Sequence, residues 1–146
     1  MQQKQEHKKY MQLVLDLAKK GKCFVFPNPM VGAILVKNNK IISKGYHKYF
    51  GAEHAEVQAI NSSKPNIAGS TLYVNLEPCN NCGKCPPCVD LIIKSKIKTV
   101  VCAMQDPNPL TSGKSFKKLK SAGITVINGI LGKQAKQLNK EYINHI

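Results

Sequence analysis

The feature of the sequence that most constrains the fold is a run of cysteines at a regular spacing of three. Four of the six cysteines fall within ten residues, at positions 79, 82, 85 and 88. Buried cysteines that only fill a core need no such spacing. Because the opening MQQKQEHKKY lacks the apolar stretch of a secretory signal, a disulfide framework is not expected either. The spacing therefore predicts that the fold brings thiolates together around a metal ion.

A His-Ala-Glu triplet upstream of the cysteines supplies further groups for such a site. It runs from His54 to Glu56 at the predicted start of a helix, and Pro78 and Cys79 open the cysteine run downstream. This combination is typical of zinc deaminases, in which one His and two Cys bind the metal and a Glu moves protons. Three protein ligands leave one tetrahedral position for a water molecule, whose pKa zinc lowers to about 7. We therefore expect Zn²⁺ on His54 and two cysteines, with Glu56 as the proton shuttle.

The identity of the second cysteine ligand is less constrained. Cys79 and Cys82 match the Pro-Cys-x-x-Cys pattern literally, but a pair at this spacing needs a helix that begins at the first cysteine. A glycine and two prolines would break that helix, whereas the apolar run after Cys88 can begin one. Helix geometry therefore favours Cys88 as the partner of Cys79, and Cys82 is the alternative.

Two other kinds of site could use the same cysteines. A closed zinc site of four cysteines would leave His54 and Glu56 without a role. The run also approaches an iron–sulfur pattern, but that pattern has a longer final gap and a proline after the last cysteine, whereas here the prolines precede it. A brown colour of the purified protein would support the cluster.

Hydrophobic patterning predicts strands that alternate with helices after an opening hairpin. The predicted strands cover residues 31–37, 41–46, 71–76, 99–104 and 124–127. The predicted helices cover residues 3–20, a segment that starts near 53, 89–94, 115–121 and 133–143. The apolar stripe of the first helix consists of Tyr10, Leu13, Val14, Leu17 and Ala18. This order predicts an α/β fold with a mixed sheet covered on both faces, in a single domain of residues 1–146.

The net charge of +14 raises the question of nucleic-acid binding. All 22 basic residues are lysines, and arginine, which makes the commonest bidentate contacts to guanine, does not occur. Aromatic side chains for base stacking are few, at 6%. Phosphorylated small molecules are therefore the more plausible partners, and nucleic acid is not expected. No apolar run approaches the about 20 residues of a membrane span, so the chain is expected in the cytoplasm, away from membranes.

Seven segments, spread over essentially the full chain, match one family pattern: PNPMVGAILV (27–36), GYHKYFGAEHAEV (45–57), STLYVNLEPC (70–79), PPC (86–88), AMQDPNP (103–109), SAGITV (121–126) and QLNKEY (137–142). Together they resemble the deaminase half of the bifunctional deaminase/reductase of riboflavin biosynthesis. The motifs PNPxVG, EPC with the later PPC, and DPNP separate this family from relatives that act on cytidine or on tRNA adenosine.

The resemblance implies a three-layer α/β/α sandwich of cytidine deaminase-like fold, with a mixed five-stranded sheet. It also implies one zinc ion on His54, Cys79 and Cys88, with Glu56 as the proton shuttle. The implied substrate is the diaminopyrimidinone ribosylamino 5′-phosphate made early in riboflavin synthesis. Hydrolysis would replace its ring amino group with oxygen and release ammonia.

Substrate contacts are implied at five positions that match the family: Asn28, His47, Lys84, Asp106 and Asn108. Some of these residues also have a purely structural explanation. Asn28 between prolines and Asp106 before a proline are ordinary turn residues, and His47 could simply close a strand.

The chain departs from the family pattern at several positions. Asn81 stands where the family usually has His, which keeps a hydrogen-bonding group but loses proton transfer there. Glu53 replaces a proline and Ser115 replaces a glycine, and we expect both changes to be tolerated. Cys82 and Cys85 are additional to the pattern and could bind metal wrongly or oxidise.

The resemblance also bears on partners. The family's reductase domain would begin about where this sequence stops, so a separate reductase is expected to act next, and no nicotinamide site is expected here. Family members associate through this domain, so a homo-oligomer is expected. Two rival functions stay open: a deaminase of tRNA or another nucleic acid, and a metal-binding module without catalysis.

Overall fold

A computed structural model of the chain describes residues 2–63, 66–80 and 87–146. Among these residues, five strands form one sheet: β1 (Gly32–Lys37), β2 (Lys40–Tyr46), β3 (Thr71–Val74), β4 (Thr99–Cys102) and β5 (Thr125–Asn128). Their order across the sheet is β2-β1-β3-β4-β5. The strand β1 pairs antiparallel with β2 and β3, whereas β3, β4 and β5 run parallel. The mixed sheet that the patterning predicted is therefore confirmed.

In the part of the chain that the structure describes, six α-helices cover the sheet: α1 (Gln2–Ala18), α2 (Ala55–Asn61), α3 (Cys88–Lys94), α4 (Lys114–Ser121), α5 (Gly132–Leu138) and α6 (Lys140–His145). Within the described ranges, no helix combines the length and apolar character that crossing a bilayer requires.

Two apolar cores lie on the two faces of the sheet, because successive side chains of a strand point to opposite faces. On one face, Leu72 and Val100 pack with residues of α2, α3 and α4. On the other face, Tyr73 and Val101 pack with residues of α1, α5 and α6. The result is the three-layer α/β/α sandwich that the resemblance implied.

The buried stripe of α1 differs from the predicted one. Leu13 was expected in the stripe but is 39% exposed, whereas Met11 and Leu15 are buried together with Val14 and Ala18. At 3.6 residues per turn, positions 11, 14, 15 and 18 share one helix face, and position 13 points away from it. The prediction placed the helix correctly but assigned Leu13 to the wrong face.

The closing helix also differs from the prediction of one element over 133–143. Two helices, α5 and α6, meet at Asn139, whose backbone (φ −102, ψ 29) departs from helical geometry. The Asn139 side chain bonds a distant loop instead of facing solvent. This long-range contact is the physical reason for the break, and no local pattern contains it.

Four chain segments converge at one edge of the sheet. Gly32 at the start of β1 pairs with Tyr46 at the end of β2, and Ala33 pairs with Val74 at the end of β3. Val74 in turn pairs with Cys102 at the end of β4. The segments that precede β1 and follow β2, β3 and β4 therefore meet at this edge, which is where open α/β sheets place their ligand sites.

Gly45 of β2 brings α2 close to this edge. A Cβ atom at Gly45 would collide with the backbone of α2 at Ala55 and Ala59. Only glycine lets the helix pack directly on the strand here, and this packing fixes the start of α2 beside the sheet edge.

Candidate metal centre and active site

Three side chains with metal-binding atoms meet at the sheet edge. The ligand atoms of His54, Cys79 and Cys88 lie within 4.8 Å of one another. His54 Nδ1 is 3.3 Å from Cys88 Sγ and 3.6 Å from Cys79 Sγ. A tetrahedral zinc ion, bonded at about 2.0 Å to nitrogen and about 2.3 Å to sulfur, holds such atoms about 3.6 Å apart. The donor set and its spacing therefore fit zinc.

Helix starts place two of the three side chains. His54 is the residue immediately before α2 and has an extended backbone (φ −68, ψ 156). Cys88 is the first residue of α3, which confirms the prediction that a helix begins after the prolines. Cys79 follows β3, and its carbonyl accepts a hydrogen bond from the Val89 N–H at 3.1 Å. This backbone bond ties the segment after β3 to the start of α3.

Several of the sequence predictions fall on residues that the structure does not describe. Lys84, proposed as a substrate contact, lies in the range 81–86, outside the described residues. The same holds for Asn81, for Cys85 and for Cys82, the alternative ligand.

The surroundings of Cys79 favour the thiolate form that binds metals. Hydrogen bonding to the Cys88 side chain is the largest of the effects that lower the pKa of Cys79, to about 4, and His54 and the Cys88 backbone N–H add to it. That N–H donates to Cys79 Sγ at 3.1 Å. The contact with Cys79 also raises the pKa of His54 above its usual value.

Glu56 lies in the first turn of α2, one residue beyond the helix start, and only 4% of it is exposed. Burial is the main cause that raises the pKa of its carboxyl to about 7, and the nearby Cys79 charge adds to it. A carboxyl group that titrates near neutral pH can both accept and return a proton during a reaction.

A cavity opens beside these groups. The sequence-predicted residues that line it are Asn28, His47, His54, Glu56, Cys79, Asp106 and Asn108. Cys88 is not among the lining residues and is 1% exposed. Apart from Cys88 and the undescribed Lys84, the predicted site residues therefore share one cavity.

His47 links Asn28 to the start of α2. Its Nε2 lies 3.2 Å from Asn28 Nδ2, and its Nδ1 lies 3.1 Å from the Glu53 carbonyl. These partners require Nδ1–H to donate to the carbonyl and Nε2 to accept from the amide, which is the neutral form. Burial lowers the pKa of His47 and so favours the same form. His47 bonds the backbone carbonyl of residue 53, which proline also carries. The presence of Glu53 where the family usually has proline therefore does not remove this hydrogen bond.

Asp106 is held from two sides. Its Oδ1 accepts hydrogen bonds from the Tyr142 hydroxyl at 2.8 Å and from the Asn108 backbone N–H at 3.0 Å. Burial is the main cause that raises the pKa of Asp106 above the usual aspartate value. Tyr142, which the sequence analysis did not single out, also lines the cavity.

Glu77 is a buried carboxylate that sequence reasoning missed as a functional residue. Its Oε1 accepts from the backbone N–H groups of Asp106 (3.1 Å) and Gly113 (2.9 Å). Its Oε2 accepts from the N–H groups of Ser115 (3.0 Å) and Phe116 (3.3 Å) at the start of α4. One side chain thus holds both the Asp106 loop and the helix start. Its place in the EPC motif was the signal that could have revealed it.

Ser115 strengthens the same junction. Its hydroxyl donates to the Pro78 carbonyl at 2.5 Å, next to Cys79, and the side chain is fully buried. The serine that replaces the family's glycine is thus accommodated with a hydrogen bond of its own.

The α/β/α sandwich, the His-Cys-Cys set and the buried glutamate are the features of the zinc-binding deaminase class. Residues 4–104 match the family model of the cytidine and deoxycytidylate deaminase zinc-binding region. The chain is 43% identical to the diaminohydroxyphosphoribosylamino-pyrimidine deaminase of Buchnera aphidicola (subsp. Schizaphis graminum), over 94% of this chain and 93% of that protein. The chain belongs to this family of deaminases.

Longer relatives match as well. The chain is 50% identical to the riboflavin biosynthesis protein RibD of Aquifex aeolicus, over 95% of this chain and 39% of that protein. The solved structure of a deaminase/5-amino-6-(5-phosphoribosylamino)uracil reductase from Thermotoga maritima superposes with a TM-score of 0.95 at 46% identity, over 99% of this chain and 42% of that chain. This chain therefore spans about two fifths of the length of these two relatives.

Proposed function

We propose that this chain hydrolyses the ring amino group of the diaminopyrimidinone ribosylamino 5′-phosphate of riboflavin biosynthesis. The products are the corresponding aminouracil phosphate and ammonia. The observation that carries the proposal is the buried Glu56 beside the set of His54, Cys79 and Cys88. The chain also aligns over nearly its whole length with the Buchnera diaminohydroxyphosphoribosylamino-pyrimidine deaminase. His54, Cys79 and Cys88 are the proposed zinc ligands.

Zinc held by these three side chains would supply an acidified water molecule at its open position. Glu56 would accept a proton from the attacking water and deliver it to the ring nitrogen next to the carbon under attack. The water oxygen would first add to this carbon; Glu56 would then carry the remaining proton of the added hydroxyl to the amino nitrogen, so that the C–N bond breaks, a carbonyl forms and ammonia leaves. Because the pKa of Glu56 is about 7, the carboxyl can take part in both transfers near neutral pH.

Side chains on the cavity wall orient the pyrimidine in this proposal. Asn28 and Asn108 offer amide groups to the ring and the ribose. Lys84, which lies outside the described residues, is proposed to offer a cation. Among the described residues, both hydrogen bonds to the Asp106 carboxylate fall on Oδ1, so Oδ2 can accept a hydrogen bond from the substrate. Both ring nitrogens of His47 bond protein groups, so His47 fixes Asn28 through one of these bonds. In this proposal, His47 contacts the substrate through its ring.

The wider setting follows from the chemistry. The product is the substrate of a reductase, the second activity in the name of the Thermotoga relative, so we propose that a reductase consumes it. A reducing cytoplasm suits a site that depends on cysteine thiolates. The homo-oligomer stays a prediction, which the mass of the protein in solution would check.

The test of substrate class is ammonia release by the zinc-loaded protein. The pyrimidine phosphate is offered in one assay and an adenosine-containing tRNA anticodon stem-loop in another. We expect release from the pyrimidine alone. Release only from the RNA would transfer the function to nucleic-acid deamination, and no release from either would favour a metal-binding module.

A further inference from the structure

We propose that Asn139 and Tyr142, at the junction of α5 and α6, are positioning residues that hold two cavity loops in place for the substrate. These are the loop of Asn28 before β1 and the loop of Asp106 after β4. The inference rests on the proposed function for its effect on catalysis. The contacts themselves are independent of the substrate.

Asn139 binds the first loop through both ends of its amide. The Met30 backbone N–H donates to Asn139 Oδ1 at 2.7 Å, and Asn139 Nδ2 donates to the Met30 carbonyl at 2.8 Å. The side chain is 2% exposed, so water does not compete with these bonds. A single buried residue from the end of the chain therefore satisfies both backbone groups of Met30.

A second buried amide completes this attachment. Asn75 Nδ2 also donates to the Met30 carbonyl, at 3.0 Å, and Asn75 Oδ1 accepts from the Gly32 N–H at 2.9 Å. The backbone of residues 30–32 is thus bonded both to Asn75, which follows β3, and to Asn139, between α5 and α6. These bonds also fix the position of Asn28, which lies two residues before Met30.

Tyr142 binds the second loop. Its hydroxyl donates to Asp106 Oδ1 at 2.8 Å, and the residue is 8% exposed. The same oxygen of Asp106 also accepts a hydrogen bond from the Asn108 backbone N–H. The Tyr142 hydroxyl therefore fixes the carboxylate that in turn holds Asn108. Rotation of Asp106 would move both polar groups proposed to meet the substrate.

The two anchors belong to one short segment. Asn139 precedes α6 and Tyr142 lies three residues later, in its first turn, so both side chains can face the sheet. Asn139 lies at the break between α5 and α6, and there its side chain bonds Met30. Within the described ranges, neither side chain forms a hydrogen bond with His54, Cys79, Cys88 or Glu56. We therefore expect these residues to affect substrate binding more than the chemical step.

The first test compares steady-state kinetics of Tyr142→Phe and Asn139→Ala with the wild-type zinc protein. The matched control is Tyr73→Phe, because the Tyr73 hydroxyl also has a buried bond, to His7 Nδ1 at 2.7 Å, in the same apolar core. We expect KM for the pyrimidine phosphate to rise about tenfold in the two test variants, with kcat within about threefold and zinc content unchanged. Tyr73→Phe should lose comparable stability and keep the wild-type KM.

A rise in KM for Tyr73→Phe equal to that for Tyr142→Phe would overturn the proposal, because the effect would then follow general stability. An unchanged KM in the test variants, or a fall in kcat alone, would overturn it too. If Asn139→Ala does not fold, Tyr142→Phe decides, since it removes a single oxygen atom.

Amide hydrogen exchange provides a readout that needs no substrate. Asn139→Ala should speed exchange at residues 30–32, and Tyr142→Phe should speed exchange at Asp106 and Asn108, each without the other. Uniform acceleration, or none, would contradict the anchoring. If the wild-type protein fails to deaminate the pyrimidine, the proposed function fails, and the exchange pattern still decides whether the two residues hold the loops.

Discussion

Cys88 Sγ lies 3.3 Å from His54 Nδ1, so the first residue of α3 meets the residue that precedes α2. This contact explains how residues from two separate helix starts form one donor set with Cys79. It also makes the choice between Cys88 and Cys82 as the zinc ligand a question that an experiment can decide.

Removal of Cys88 should abolish zinc binding. We expect Cys88→Ser to lose most of the bound zinc, because two remaining ligands hold the ion far more weakly than three. Zinc content is measured by atomic absorption after dialysis against a weak chelator. Cys82→Ser and the exposed Cys23→Ser are the matched controls and should keep about one zinc per chain. Loss of zinc in Cys82→Ser with retention in Cys88→Ser would assign the site to Cys82.

The buried carboxyl of Glu56 should make the stability of the zinc-free protein depend on pH. Its folded pKa of about 7 lies above the ordinary value of 4.5, so the folded state binds this proton more tightly than the unfolded state. The resulting stabilisation is complete below pH 4.5 and is lost as the pH rises through about 7. Glu56→Gln has no such proton.

Urea unfolding of both proteins in chelator, across this pH range, measures the effect. As the pH rises from below 4.5 to 8, the free energy of unfolding of the wild type should fall by about 3 kcal/mol relative to that of Glu56→Gln. Parallel pH profiles for the two proteins would show that burial does not shift the Glu56 pKa.

Glu77 should matter for stability because it satisfies four backbone N–H groups. We expect Glu77→Ala to lower the free energy of unfolding by about 3 to 5 kcal/mol, since buried donors would lose their acceptor. Glu77→Gln keeps one acceptor oxygen and should lose less. The exposed Glu141→Ala is the control and should stay within about 0.5 kcal/mol of the wild type. A loss for Glu77→Ala as small as that of the control would contradict the role assigned to this carboxylate.

Local chemistry was sufficient to predict most elements of the fold. The β1–β2 hairpin follows from β-rich runs on either side of Asn38 and Asn39, and both asparagines adopt the positive φ that such a turn requires (53° and 62°). His54 and Glu56 were visible because the chemistry demands those residue types near each other. The prolines before Cys88 located the start of α3.

Features that depend on distant partners could not be predicted. The role of Glu77 depends on N–H groups 29 to 39 residues away, and the break at Asn139 depends on Met30, 109 residues away. Leu13 was misplaced for a related reason, because several apolar residues of α1 could form a stripe and only the packing on the sheet selects one. Sequence patterns record local preferences, whereas these side chains owe their positions to tertiary contacts.

The most direct test of the account is the rate of ammonia release from the pyrimidine phosphate by Glu56→Gln, measured beside its zinc content. We expect full zinc occupancy, a folded protein and a rate reduced by at least about a thousandfold, because only the proton shuttle is lost. A variant that keeps its zinc and retains a rate close to that of the wild type would contradict the central role of Glu56.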